Sequence, residues 1–263
     1  MGLWEGVSLA HILDQSGAAR DAVVVLLEGA DSGRLLQDSP EMPYCQIVPA
    51  EKCLCPESLL AFKLNDRFLP RRNSFSARAL FPGWYGMDSV DWLQPRRARD
   101  VVPNFHLSSM NKVYNRVVKT PAGELKITRL TEIQVRSVIA WPADNARLPP
   151  SRYVIRGFAW TATGLIRFSN FSADGGRASV PAQLESPPRL FTWVCWKYLW
   201  SAAPGDYVLM SRAVDDAGHE QPLPGDPARR DVYELNSCCT CAVLGAMKSK
   251  EIRCRATFNA GSS

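Results

Sequence analysis

Apolar and polar positions change rhythm once along this chain, near residue 131. Ahead of that point Leu9, Ile12 and Leu13 recur at helical spacing behind Ser8, a residue type suited to an N-cap, and the pattern stops at Gly17. The spacing predicts a helix there. The segment DAVVVLLEGAD is a β-branched apolar run closed by a Gly-Ala-Asp turn, which predicts a buried strand. LLAFKL, Asn65-Asp66 and RFLP read as a hairpin, because Asn and Asp tolerate the left-handed geometry of a two-residue turn. Helix mixed with strands in this manner argues for an α+β domain. From Ile133 onward the rhythm is that of short strands between turns: IQVRSVIAWP, YVIRGFAW, LIRFSNFSADGG, TWVCWKYLW and YVLMSRAVDD. In the third of these, Ile166, Phe168, Asn170 and Ser172 alternate, imperfectly, with Arg167, Ser169 and Phe171. No helical pattern interrupts the series, and its spacing predicts a β-sandwich. With no repeat and no low-complexity linker between them, the two domains are expected to abut: 1–132, then 133–237, then a tail of 238–263.

Composition adds limits rather than direction. A chain of 263 residues has room for one large domain or two ordinary ones. Apolar residues make up 46% and charged residues 22%, the balance of a globular protein, and no apolar run reaches the roughly 18–20 residues that a membrane-spanning helix needs. MGLWEGVSLAHIL lacks the basic start and small-residue cleavage site of a signal peptide, so a cytosol-like compartment is the default expectation. The formal charge of +5 is scattered apart from arginine pairs beginning at Arg71, Arg96 and Arg229, which argues against a nucleic-acid partner and is compatible with a small anionic substrate. Eight cysteines include no C-x-x-C pair, and His11, His106 and His219 lie far apart, so a zinc site is not expected and the thiols are read as reduced.

The segment that bears chemistry is FPGWYGMDSVDWL, Phe81 to Leu93, with SFSAR before it. Gly83 and Gly86 are positions where backbone can take a positive φ or press against a ligand. Arg78, just upstream, presents a planar cationic fork suited to a phosphate or carboxylate. Taken alone, these residues are equally an aromatic-rich loop closing a core. Their order in the chain is more specific. VLLEGADSG is followed by PYCQIVPAEKCLCPESLLAFKLNDRFLP, then RRNSFSAR, then the Pro-Gly-x-x-Gly segment running into Trp-Leu. That succession resembles the molybdenum-cofactor domain of the sulfite oxidase family of molybdopterin oxidoreductases, over about Leu3 to Asn236. The later phrases RGFAW, SADGG and RAVDDAGHEQP, with Trp193, Trp196 and Trp200, resemble the same family's dimerisation domain, an immunoglobulin-like sandwich.

The resemblance implies a partial molybdopterin domain followed by a dimer-forming sandwich, and a molybdenum-molybdopterin cofactor. It implies oxidation of sulfite or a similar small oxyanion by oxygen-atom transfer, in a homodimer. A nitrate reductase molybdenum domain and a non-catalytic remnant of the fold are the alternatives. By matching position, Asp31 would accept hydrogen bonds from the pterin amino group, or else cap its own turn. Arg78 would grip the cofactor phosphate, with Asn73 standing where many members have histidine. Tyr85, Gly86, Ser89 and Val90 would lie along the terminal phosphate. Asp91 occupies a position that is usually lysine, Met110 falls where a substrate-facing tyrosine is usual (Tyr114 is reached by a shift of register), and Asn236 replaces an arginine. The family's metal-binding cysteine belongs to a segment upstream of the Glu-Gly-x-Asp strand, ahead of the expected start of this chain. Cys45, Cys53 and Cys55 are read as structural thiols, and no residue is assigned a catalytic or metal-binding role.

Overall fold

The structure, a computed structural model, describes residues 2–18, 21–34, 37–38, 40–94, 114–120, 122–224, 230–231 and 236–245. The front half is built around the hairpin of Leu59–Leu64 and Arg67–Phe68, whose turn residues Asn65 and Asp66 have φ of 51° and 61°. Two consecutive positive φ values give the turn whose twist matches the flanking strands. Trp4–Ser8 pairs antiparallel with the free edge of Leu59–Leu64, and Arg78–Leu80 pairs with residues 59–61 on the other side. A separate two-stranded ribbon, Val24–Gly33 against Met42–Pro49, lays Leu27 and Val48 into a core with Leu9, Cys53, Ala79, Phe81 and Val90.

Helix is scarce. The described residues hold only Leu9–Gln15 and Ala50–Leu54 as α-helices, with short 3-10 turns at Arg71–Asn73 and Gly86–Asp88. The fold is mostly β, and the α+β expectation is corrected accordingly. The reason is local: the helical apolar spacing at the front lasts for seven residues, and the sequence beyond it is dominated by β-branched runs. Ser8 ends the first strand and makes no side-chain cap bond to the helix that follows.

Beyond Val135 two sheets enclose a second core. One orders Ala146–Leu148, Thr240–Gly245, Tyr207–Asp215, Ile166–Ser172 and Val180–Pro181; the other orders Gln183–Leu184, Val194–Ala202, Ser151–Trp160 and Arg136–Trp141. Ile155, Phe171, Val194, Trp196, Leu209 and Val243 fill the space between them. Gly157 explains the RGFAW phrase, because a Cβ there would collide with the Trp196 ring and the Val138 carbonyl. The same ring is tied down at its polar end. Trp196 Nε1 donates to Ser137 Oγ at 3.0 Å, and Ser137 Oγ also meets Ser169 Oγ at 2.9 Å and Ser211 Oγ at 3.0 Å. Every member of this cluster is buried and has a partner, as a polar group inside a sandwich requires.

Two details depart from simple alternation. The register slips between Ile166 and Phe168 against Val214 and Asp215, so Ile166, Ser169, Phe171 and Ser172 are the buried residues of that strand. A bulge there accounts for the imperfect period of the sequence. Thr240–Gly245, past the boundary expected at 237, forms a strand that pairs antiparallel with Tyr207–Met210 and parallel with Ala146–Leu148.

Candidate functional site

Three backbone segments converge where the sequence places the anion-binding chemistry. Gln94 N–H donates to Glu28 O at 2.9 Å and Ala30 N–H to Trp92 O at 3.0 Å, which sets the Glu-Gly-Ala-Asp end of the ribbon alongside the Trp-Leu end of the Pro-Gly segment. Ala79 N–H donates to Val90 O at 3.0 Å and Leu93 N–H to Ala77 O at 3.3 Å, which adds the strand carrying Arg78. Gly29 sits at the junction. A Cβ on it would strike the Asp31 carboxylate and the Asp91 carbonyl, so only glycine allows the approach. Asp31 and Arg78, separated by 47 positions, thus lie on strands that flank the same Val90–Gln94 segment from opposite sides.

Arg78 has a defined environment. Its guanidinium lies over the Trp4 ring, 5.6 Å from the centroid, a cation–π arrangement. Nη2 donates to Ser89 O at 3.1 Å and lies 3.0 Å from Asp91 Oδ1. The Asp91 contact is ionic without the alignment of a hydrogen bond, and Arg78 Nε is buried without any acceptor among the described residues. A buried donor without an acceptor is uncommon and marks a place for one.

The other expected contacts divide. Asp31 is exposed at the end of its strand, and Asn73 is half-buried, closing the Arg71–Asn73 turn with its N–H on Pro70 O at 2.8 Å. Trp92 Nε1 donates to Arg71 O at 3.2 Å and links that turn to the same segment. At Gly86 nothing among the described residues stands within 4 Å of where a side chain would begin. Tyr85 N–H donates to Thr131 O at 2.9 Å and Ser89 N–H to Gly86 O at 3.1 Å, so these two donors serve the fold. Ser89 Oγ accepts from Phe81 N–H at 3.3 Å, and Val90 is wholly buried in the core. Met110 lies outside the described residues. Asn236 is buried, and its Oδ1 has no partner.

A network that the sequence reading missed supports the loop from behind. Arg129 donates to Gln46 Oε1 at 2.9 Å, to Ile47 O and to Asp88 Oδ1. Tyr44 donates its hydroxyl to Met87 O at 2.5 Å and accepts from Gln46 Nε2 at 3.1 Å. Burial pushes the Asp88 carboxyl up to about 6, more than the neighbouring Arg129 pulls it down. Burial likewise pushes Tyr44 up to about 12, helped by the nearby Tyr114, Asp88 and Asp31. The only signal for Tyr44 was its place before Ile47-Val48-Pro49, and nothing in the chain flagged Arg129.

Of the front-half thiols, Cys45 and Cys55 are half-buried. Cys53 is buried and pushed up to about 12 by that burial. Among the described residues no cluster of three or more His, Cys, Asp or Glu is placed to hold a metal ion, and no helix is long and apolar enough to cross a membrane.

Comparison with known proteins accords with this geometry. Residues 1–101 match the oxidoreductase molybdopterin binding domain, and residues 128–233 match the Mo-co oxidoreductase dimerisation domain. These two modules in that order define a molybdopterin oxidoreductase. The chain is 28% identical over 233 residues to sulfite oxidase of Gallus gallus, covering 83% of this chain and 50% of that protein. It is 28% identical over 233 residues to mitochondrial sulfite oxidase of Homo sapiens, covering 83% and 42%. Nitrate reductase [NADH] of Ulva prolifera matches at 28% over 226 residues, 74% of this chain and 25% of the relative. Among solved structures, the sulfane dehydrogenase SoxCD of Paracoccus pantotrophus shares the fold with a TM-score of 0.77 at 24% identity, over 92% of this chain and 60% of that one. The chain belongs to the sulfite oxidase family of molybdopterin oxidoreductases, and it spans half or less of the length of the animal sulfite oxidases that it matches.

Proposed function

We propose that this chain is the cofactor-holding and dimer-forming part of a molybdenum oxidoreductase of the sulfite oxidase type, acting on sulfite or a similar small oxyanion. The observation that carries the reading is the orphaned Arg78 Nε, without an acceptor among the described residues, on a strand bonded to the same Val90–Gln94 segment that also flanks the strand carrying Asp31. An anionic group with several oxygens suits that donor, and the residues present fit the phosphate end of a molybdopterin. Arg78 would hold the phosphate, Asp31 the pterin amino group, and the backbone around Gly86 would line the phosphate, with Asn73 close behind. Tyr85, Ser89 and Val90 would shape this wall through their backbone turns, since their main-chain groups are engaged within the fold. When bound, the molybdenum cofactor supplies oxygen-atom transfer coupled to two-electron redox chemistry.

The sandwich is proposed to be immunoglobulin-like and to join two copies of the chain. The outer face of its four-stranded sheet exposes Trp141, Val154, Trp193 and Leu199, with Val154 directly opposite Leu199. An apolar face of this kind in a dimerisation domain suits an isologous contact. One observation favours a second reading, a non-catalytic remnant: the Asp91 carboxylate already faces Arg78.

Pterin and molybdenum analysis of the purified chain, expressed in a host that makes the cofactor, tests the main reading. Wild-type protein is expected to retain pterin, and Arg78→Ala and Asp31→Ala each to lose most of it, since a charge-assisted hydrogen bond is worth roughly 1.5–3 kcal/mol. Arg78→Lys should fall between them, because lysine keeps the charge and lacks the fork. Equal pterin content in all four proteins would place the site elsewhere, and absence of pterin from wild type would favour the remnant.

A further inference from the structure

Asp91 faces the fork that the phosphate would use. Among the described residues its Oδ1, 3.0 Å from Arg78 Nη2, engages only that nitrogen and without hydrogen-bond alignment, while Nε is left without an acceptor. Nη2 is shared with the Ser89 carbonyl at 3.1 Å, and the Trp4 ring covers one face of the guanidinium. A carboxylate held through one nitrogen leaves half of a bidentate site unused. A phosphate monoester presents three terminal oxygens and two charges, enough to take Nε and Nη2 together. It cannot do so with Asp91 in place, since two anions would then meet across the same guanidinium. The contacting Asp91 Oδ1 and Arg78 Nε are themselves buried, but the Asp91 side chain as a whole is 38% exposed, so the carboxylate has a solvent side toward which it can swing. The segment that carries Asp91 is held by its backbone, through Val90 O, Trp92 O and Leu93 N, and not by the carboxylate.

We propose that Asp91 is an internal counter-anion that occupies Arg78 until a phosphate monoester displaces it, so that the phosphate end binds by exchange rather than by simple addition. This rests on Arg78 being the phosphate-gripping residue of the proposed function. Its consequence is a weaker and more selective site. A singly charged anion gains too little from Arg78 to expel the carboxylate, whereas a dianion that fills both nitrogens can.

Calorimetric titration of the purified chain with inorganic phosphate tests the exchange independently of any loaded enzyme. The four proteins are wild type, Asp91→Asn, Arg78→Ala and the double variant, with Asp91→Ser in reserve should the asparagine protein fail to fold. Asp91→Asn is expected to bind phosphate about tenfold more tightly than wild type, since both the competition and the repulsion are removed. The gain should vanish in the double variant, because it is realised only through Arg78. If the gain persists without Arg78, Asp91 is a general repulsive charge and the exchange is overturned. If Asp91→Asn leaves affinity unchanged while Arg78→Ala abolishes binding, the exchange also fails but the phosphate site stands. If phosphate binds none of the proteins, or binds all alike, the assignment of Arg78 to the phosphate end falls as well.

Discussion

Replacing Asp88 by asparagine isolates the electrostatics of the loop support. Asp88 is wholly buried, one of its oxygens has no partner, and burial lifts its carboxyl to about 6 against an ordinary value of 3.8. A folded-state pKa above the unfolded one means that the folded protein holds the proton more tightly. The stability contributed by Asp88 is therefore full below about pH 4 and is lost as pH rises through 6. With those two values, wild type should gain about 2 kcal/mol relative to Asp88→Asn on moving from about pH 6.5 to 4.5. Carboxylates common to both proteins cancel in the difference. At neutral pH the variant should lie close to wild type, because relief of the buried charge offsets the loss of a charged acceptor for Arg129, which keeps Ile47 O and Gln46 Oε1. Urea unfolding of the two proteins at several pH values is the assay. A difference that does not change with pH, or one in which wild type loses ground as pH falls, would show that Arg129 outweighs burial and that the reasoning has the wrong sign.

Gly157→Ala should destabilise the sandwich by about 2–3 kcal/mol in denaturant unfolding, because its new methyl group meets the Trp196 ring and the Val138 carbonyl, neither of which can yield. Asp215 is buried, which opposes its ionisation, but hydrogen bonds from Thr163 and His219 outweigh that and hold it below the ordinary carboxylate range. Its contribution should thus be present above about pH 4 and lost as pH falls through the depressed value, and Asp215→Asn should flatten this acid limb of the stability profile. Leu199→Glu together with Val154→Glu should convert a dimer into a monomer in sedimentation at micromolar concentration, and an unaltered dimer would place the contact on another face.

Local chemistry made much of the fold legible. Asn65-Asp66 specified a turn that needs two positive φ values, and both residues have them. The strand patterns after Ile133 specified a two-sheet core, and the order of motifs specified the family. What stayed hidden depends on contacts between distant positions. Arg129 reaches Asp88 across 41 residues and Gln46 across 83, and no local pattern marks an arginine for burial beside them. The bulge after Ile166 appeared only as poor alternation, since one extra residue exchanges the two faces of a strand. The three tryptophans looked equivalent, yet Trp196 and Trp200 are buried whereas Trp193 is 47% exposed and stacks on Trp160. The helical content was overstated because seven residues at helical spacing were read as characteristic of a whole domain.

The site shows why a fold can keep its family likeness while its charges change. The three segments that converge on Arg78 are joined through Glu28 O, Ala30 N, Ala77 O, Ala79 N, Val90 O, Trp92 O, Leu93 N and Gln94 N, all main-chain atoms. Such bonds do not depend on which side chain stands at position 91, so a carboxylate or a cation can occupy it without disturbing the ladder. Gly29 is different, because its missing Cβ is what lets the ribbon approach the segment, and a side chain there would part the strands. The scaffold therefore depends on backbone-permissive positions such as Gly29, whereas the chemistry proposed for the site depends on Arg78 and Asp91. The family match reports the first kind of constraint. Whether the chain grips a phosphate depends on the second, and in the proposed exchange it is the Arg78–Asp91 pair, rather than the overall likeness, that sets the affinity.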